Sequence, residues 1–366
     1  MSQLKVNSIV DASGGSNAVL YGPASPAGSM GFRNRIINGA MMIDQRNAGA
    51  SVTPAAPNQY TLDRWKADIS VSSKYSAQQS STAPTGFVNS LLITSLSAYT
   101  VGSAERFCMT QNIEGLNVPD LAWGTANAKT ITLSFWVRSS LTGTFGGAIS
   151  NSAQNRSYPF TYTISSANTW EQKTITITGD TSGTWLTTSG IGLRVIWGLG
   201  VGSTLSTTSG AWAAGEYYSA TGATSVVGTN GATWYITGVQ LEVGSVATEF
   251  ERRPYGTELQ LCQRYYQRID GFYAVGFNST TISGSIAFPT EMRASPSISV
   301  SGALETTDFV AANYTQSSGS ASISGAGARV SARGVMVDLA NFSSITNYRV
   351  YGNLPQINRL ILSSEL

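Results

Sequence analysis

Apolar and polar side chains alternate with a period of two along most of this chain, and near Pro254 the period lengthens to that of a helix. Before the proline, Tyr235, Thr237, Val239, Leu241 and Val243 alternate with Trp234, Ile236, Gly238, Gln240 and Glu242, as side chains of a pleated strand do. After it, Leu259, Cys262, Tyr265, Tyr266 and Ile269 recur at spacings of three and four, which predicts one face of a short helix over 255–269. A change of period at a proline marks the stretch as a joint between two domains.

Short alternating segments separated by Gly, Ser, Asn and Thr turns fill 33–252, the pattern of a β-sandwich. The clearest is KTITLSFWVRS, Lys129 to Ser139, with Ile131, Leu133, Phe135 and Val137 on one face. Further strands are expected at Trp170 to Thr178 and Ile191 to Trp197, and the spacing predicts a jelly-roll of two packed sheets. Beyond the helix, Thr281 to Phe288, Ser297 to Val300, Arg329 to Leu339, Tyr348 to Tyr351 and Asn358 to Leu362 predict a second, smaller β-sandwich. The expected fold class is all-β: an N-terminal segment over 1–32, a jelly-roll over 33–252, a linker helix over 253–269 and a smaller C-terminal sandwich over 270–366. The first segment, with Leu4 and Val6 alternating among Gly and Ser, carries too little apolar surface to fold alone, so its order is expected from neighbouring chains.

Composition narrows the partners. The chain has 366 residues, room for two or three domains at roughly 150 residues each. Only 11% of them are charged, against about a quarter in ordinary globular proteins, so the surface is built of hydroxyls, amides and glycine. The net charge of +2 and scattered basic residues argue against nucleic acid as the main partner. The N-terminus reads as neither secretory signal nor anchor, and no stretch approaches the about 18 apolar residues of a spanning helix; no membrane insertion is expected. Cys108 and Cys262 fall in different expected domains and read as free buried thiols in a chain large enough to need no staple.

Catalytic chemistry is scarce. With no histidine, the commonest general base, the nucleophile pairs built on it and the commonest metal ligand are all missing. Only a carboxylate pair of the glycosidase kind stays open, and Asp120, Asp180 and Glu216 read as turn or strand-end residues; no enzyme is expected. The run GLGVGS at 198–203 lacks the phosphate-cradle spacing and reads as a loop. Asp63 and Glu242 could meet at a sheet edge as two calcium ligands, but calcium takes about six to eight oxygens. A cap or a salt bridge with Arg64 is the expected role instead, and neither metal nor cofactor is assigned.

The aromatic residues are the ligand candidates, because flat rings stack on sugars. Trp136 falls on the face opposite Ile131, Leu133, Phe135 and Val137, in phase with Thr132, Ser134 and Arg138. Trp136 and Arg138 are either a sugar platform or a second layer of core under a loop. Trp212, Tyr217 and Tyr218 lie in a loop-like stretch, SGAWAAGEYYSATGATS, as ligand or subunit contacts or as rings folded back on their own domain.

Four pieces carry a family resemblance: LKVNSIVDASGG (4–15), NRIINGAMMIDQRNAG (34–49) with YTLDRW (60–65), VQLEVGSVATEFERRPYGTELQLCQRYYQR (239–268), and ILSSEL (361–366). Together they resemble bacteriophage tail-fibre or receptor-binding proteins with a carbohydrate-binding-module-like jelly-roll. The resemblance implies a homotrimeric virion appendage assembled in the host bacterial cytoplasm. Its N-terminus would be held by a tail or baseplate protein, and its C-terminal domain would be the tip facing a host surface glycan. Leu4, Val6, Leu259, Cys262 and Tyr266 are then trimer-interface candidates, the alternative being a helix docked on its own domain. A structural adaptor that anchors another receptor-binding protein, or a polysaccharide depolymerase, are the competing functions.

Overall fold

In the computed structural model, residues 32–269, 271–309, 314–317, 322–323, 329–353 and 360–366 are described; Leu4 and Val6, with nearly all of the N-terminal segment, lie outside them. The first domain is built from β1 (Gln59–Leu62), β2 (Trp65–Ile69), β3 (Tyr75–Ser80), β4 (Ser90–Ser95) and β5 (Arg106–Glu114). It continues with β6 (Ile131–Ser139), β7 (Gly143–Ser150), β8 (Arg156–Ile164), β9 (Glu171–Ile177) and β10 (Ile191–Val201). Short strands β11 (Ser206–Thr207), β12 (Ala213–Ala214) and β13 (Ser219–Ala220) precede β14 (Thr233–Val243). Among the described residues one sheet runs β1-β2-β5-β10-β7-β8-β12 and the other β3-β4-β14-β6-β9. The two pack face to face around Trp65, Phe135, Trp197 and Trp234, all fully buried, so the jelly-roll expectation for the fold holds.

Local departures from simple alternation have identifiable causes. In β14 the phase flips at a bulge between Thr237 and Gln240, so Trp234 and Ile236 share the core with Val239 and Leu241, while Tyr235 and Thr237 face outward. Gly238 turns there with φ +60°, and a Cβ on it would stand 2.6 Å from the Phe87 ring; only glycine meets both demands. The run at 198–203, expected as a loop, instead carries the end of β10. Its Gly198 and the facing Gly146 clear space for Ser219, whose Oγ would lie 2.2 Å from a Cβ at 146, and so let β13 lie across the sheet.

The helix is shorter than its spacing predicts: α1 covers Tyr255–Gln263, and Tyr266–Ile269 is extended as β15. Three residues in a row, Tyr265, Tyr266 and Gln267, are buried there, a pattern that periodicity alone cannot divide between helix and strand. The C-terminal domain continues with β16 (Tyr273–Asn278), β17 (Thr281–Ala287), β18 (Ser297–Val300), β19 (Glu305–Asp308), β20 (Tyr314–Ser317), β21 (Ser322–Ile323) and β22 (Arg329–Val330). It ends in β23 (Gly334–Ala340), β24 (Val350–Asn353) and β25 (Leu360–Ser363). A small sheet β15-β25-β18 packs on a larger one through Ile269, Leu360 and Leu362 against Ile282, Val337 and Tyr351. Arg329 to Leu339, expected as one strand, is a hairpin closed by Ser331 N–H on Gly334 O.

Both domains meet at a dense polar joint. Arg64 pairs through Nη1 with Glu365, donates through Nη2 to Asn112 O at 2.5 Å and lies 3.6 Å from the Tyr265 ring centre. Arg46 reaches Glu365 at 2.7 Å and covers Tyr266 at 3.7 Å. Arg264 grips Glu114 through two bonds of 2.9 and 2.7 Å. Arg64 therefore does not pair with Asp63, as expected, but with the segment that returns from the C-terminal domain; Asp63 accepts from Gln45 N and Nε2 at 2.7 Å each. Glu242, the other carboxylate considered for calcium, accepts from Gln240 and Thr248.

Candidate functional site

The outer face of the seven-stranded sheet carries a cleft of about 410 Å³ lined by Lys66, Asp68, Arg106, Gln154, Arg194 and Tyr60 among others. Strand register explains why these groups meet. Asn112, Arg194 and Ser150 stand directly opposite one another across β5, β10 and β7. One row further, Lys66 faces Thr110, which faces Ile196; beyond that, Asp68 faces Cys108. Each of these side chains points away from the sandwich core because its neighbours, Ala67, Met109, Val195 and Trp197, point into it. One wall is closed from the joint, where the Leu366 carbonyl accepts from Tyr60 Oη at 2.8 Å and from Asn112 Nδ2 at 2.7 Å.

Charges in the cleft are unevenly matched. Arg106 donates to Asp68 at 2.9 Å and lies 4.8 Å from the Tyr218 ring centre. Lys66 is 3% exposed, yet its ammonium has an amide partner, Asn58 Oδ1 at 2.8 Å, and no carboxylate in ion-pair reach among the described residues. Burial, aided by the Arg194 charge, pulls its pKa down to about 8. Arg194 donates through Nη2 to Ser152 O at 3.1 Å, and burial lowers its pKa too. Beneath them Thr110 Oγ1, Ser150 Oγ, Asn112 Oδ1 and Arg194 Nε have no hydrogen-bond partner among the described residues. Buried polar groups are normally satisfied, so four in adjoining rows mark a place where water or a ligand completes the network.

Tyr218 belongs to this surface. Its ring is buried under Arg106, its hydroxyl donates to Glu216 and accepts from Gln154 Nε2 at 2.7 Å. Burial and the Glu216 bond hold its pKa well above the ordinary tyrosine value. Tyr217 is half-buried, with its N–H on Ser157 Oγ at 3.2 Å. Trp212 packs edge-on against Trp123, Trp185 and Tyr158 and donates to Thr178 O at 2.7 Å. Trp136 and Arg138 lie on the opposite sheet: Trp136 is half-buried beside Phe87 over Gly238, and Arg138 covers Tyr235 at 5.2 Å. The structure thus divides the five candidates between two outer faces and one aromatic cluster.

Of the interface candidates near the joint, Cys262 on α1 is fully buried and Tyr266 at the start of β15 is 5% exposed, both inside the chain's own fold. Cys262 packs with Ile37, Ile43 and Tyr265, and Leu259 sits partly buried beside them. The helix docks on its own chain, the alternative weighed for it, with Cys262 packed inside. Lys66, Asp68, Arg106 and Arg194 were not singled out from the sequence. Their signal was present: a Lys and an Asp alternating inside WKADI and an Arg inside GLRVIW are charges within strands, where a charged side chain needs a reason.

No family model matches the chain, and no curated protein does. Among solved structures it is similar to the enzymatically active domain of bacteriophage CBA120 tailspike protein 4, at 12% identity and TM-score 0.33, over 58% of this chain and 22% of that one. It is also similar to a family 11 carbohydrate-binding module of Clostridium thermocellum in complex with a mixed-linked tetrasaccharide, at 11% identity and TM-score 0.28, over 54% of this chain and 98% of the module. A third is discoidin II of Dictyostelium discoideum, at 7% identity and TM-score 0.18, over 78% and 86%. The chain spans about a fifth of that tailspike domain's length. All three TM-scores are below 0.5, so the functional reading rests on the chain's own residues.

Proposed function

We propose that this protein recognises glycans without cleaving them, through the cleft on the seven-stranded sheet. The observation that carries the reading is the pair of adjoining rows in which Asn112, Thr110, Ser150 and Arg194 hold unpartnered polar atoms beneath the open cleft walled by Lys66, Arg106 and Gln154. A saccharide offers hydroxyls on every side, which donate and accept, and it suits such a floor better than an apolar ligand does. The setting proposed is a phage tail fibre in the virion, attached at its N-terminus to a tail or baseplate protein and assembled as a homotrimer in the host cytoplasm. Three weak sites on one fibre then act together through effective concentration. Recognition sits on the jelly-roll in this reading, and the C-terminal sandwich supplies subunit contacts.

The test is retention of the intact protein on immobilised host-surface polysaccharide, with reducing ends assayed in the same vessel. Retention that is lost in Arg194→Ala, with no reducing ends released, is the expected result. Release of reducing ends would establish a depolymerase, and retention unchanged by the substitution would move recognition elsewhere on the chain.

A further inference from the structure

Resting on the glycan reading of the cleft, we infer that its ligand is an acidic saccharide whose carboxylate is received between Lys66 and Arg194. The two cations belong to neighbouring rows of the same face, Lys66 opposite Thr110 and Arg194 opposite Asn112, two residues on along β5. A third cation, Arg106, lines the same cleft but is already engaged by Asp68. Glu365 also lines it, and it is committed to Arg64 and Arg46 in the joint. The carboxylates of the cleft are thus spent on Arg106, Arg64 and Arg46, while Lys66 and Arg194 have only neutral oxygens, Asn58 Oδ1 and Ser152 O, as partners.

Lys66, buried, and Arg194, partly buried, have no ion-pair partner among the described residues, and burial disfavours the charged form of each, with the Arg194 charge adding to the effect at Lys66. The depressed Lys66 pKa reports that cost. An entering carboxylate relieves it. Its two oxygens accept charge-assisted bonds, which are roughly twice as strong as neutral ones, while the sugar hydroxyls meet the neutral polar groups that line the cleft, Asn58, Tyr60 and Gln154. Neutral sugars fill the same space but leave the cations uncompensated. A uronate or another carboxylated sugar is therefore the class the cleft selects, and selectivity comes from the cost of leaving Lys66 and Arg194 unpaired as much as from attraction.

The experiment uses the intact protein on an array of bacterial surface polysaccharides, each acidic member printed beside its carboxyl-reduced form. Retention on acidic members falling at least tenfold on the reduced partner is the expected result. The discrimination should shrink in Lys66→Gln and Arg194→Gln, with folding checked by circular dichroism. Because the decisive change is made in the ligand, the outcome does not depend on either variant folding. Equal retention on both forms overturns the acidic ligand and leaves the glycan reading standing. Acid preference that survives in both folded variants overturns the placement, and retention on no member overturns the glycan reading itself.

Discussion

The guanidinium of Arg64 is stacked 3.6 Å from the centre of the Tyr265 ring, joining the turn after β1 to the short link between α1 and β15. Arg64 is 1% exposed, and its charge is answered by Glu365 from the returning C-terminal segment. Ring, cation and carboxylate come from three stretches of chain far apart in sequence. Their meeting fixes the second sandwich on the first and forms the wall of the cleft.

Removing the Glu365 charge leaves Arg64 buried and unanswered. Glu365→Gln is expected to lower stability by about 3–5 kcal/mol, the cost of breaking a buried pair from one side, seen as a fall in the urea midpoint at unchanged slope. A loss below about 1 kcal/mol would show that Asn112 O and the Tyr265 ring suffice.

Lys66 makes stability depend on pH in a defined direction. Its folded pKa of about 8 lies below the ordinary 10.5, so between these values the unfolded chain binds a proton that the folded chain has released. Stability therefore rises with pH from about 8, by at most about 1.4 kcal/mol per unit. Asp68, Arg64, Arg106, Arg194, Glu365 and Tyr60 face or surround the same cleft, and the buried tyrosines oppose the trend above about pH 10. Urea midpoints at pH 7.5 and 9.5 should differ in the wild type and converge in Lys66→Met.

Trp136→Ala separates the two outer faces. The indole is half-buried beside Phe87, and its loss should cost about 2 kcal/mol, less than for a fully buried aromatic. Glycan retention should not change, because the cleft lies on the other sheet. A tenfold weaker isotherm at full stability would instead place the sugar platform at Trp136, Arg138 and Tyr235.

The larger C-terminal sheet exposes Tyr273, Val275 and Phe277 along one strand, at 72%, 43% and 67%, with Phe309 beside them. An apolar row of this kind on a sheet face marks a contact surface. In the proposed trimer, Tyr273→Ser with Phe277→Ser is expected to reduce the mass seen by light scattering from three chains to one. A trimer unaffected by the pair would place the threefold contact in the N-terminal segment.

The sequence by itself determined the class and the joint. Alternation located β6, β9 and β10 because a sheet with one buried face must repeat every two residues, and Pro254 located the change of element. The pieces that carried the family resemblance, at 34–49, 60–65, 239–268 and 361–366, converge in the structure: Arg46, Arg64 and Glu365 form one cluster, and Arg268 donates to Gln45 O at 2.7 Å. The signature thus records how two domains are fastened together, and for that reason it could not point to a binding site.

What only the tertiary structure decided is the cleft. Lys66, Arg106 and Arg194 lie 40 and 88 residues apart in sequence, and sheet order alone sets β2 beside β5 and β5 beside β10. Burial converts ordinary charges into perturbed ones, and burial is a property of neighbours that periodicity does not carry. The same holds for the end of α1 and the flip at Gly238, where local pattern allows two answers and long-range packing chooses one.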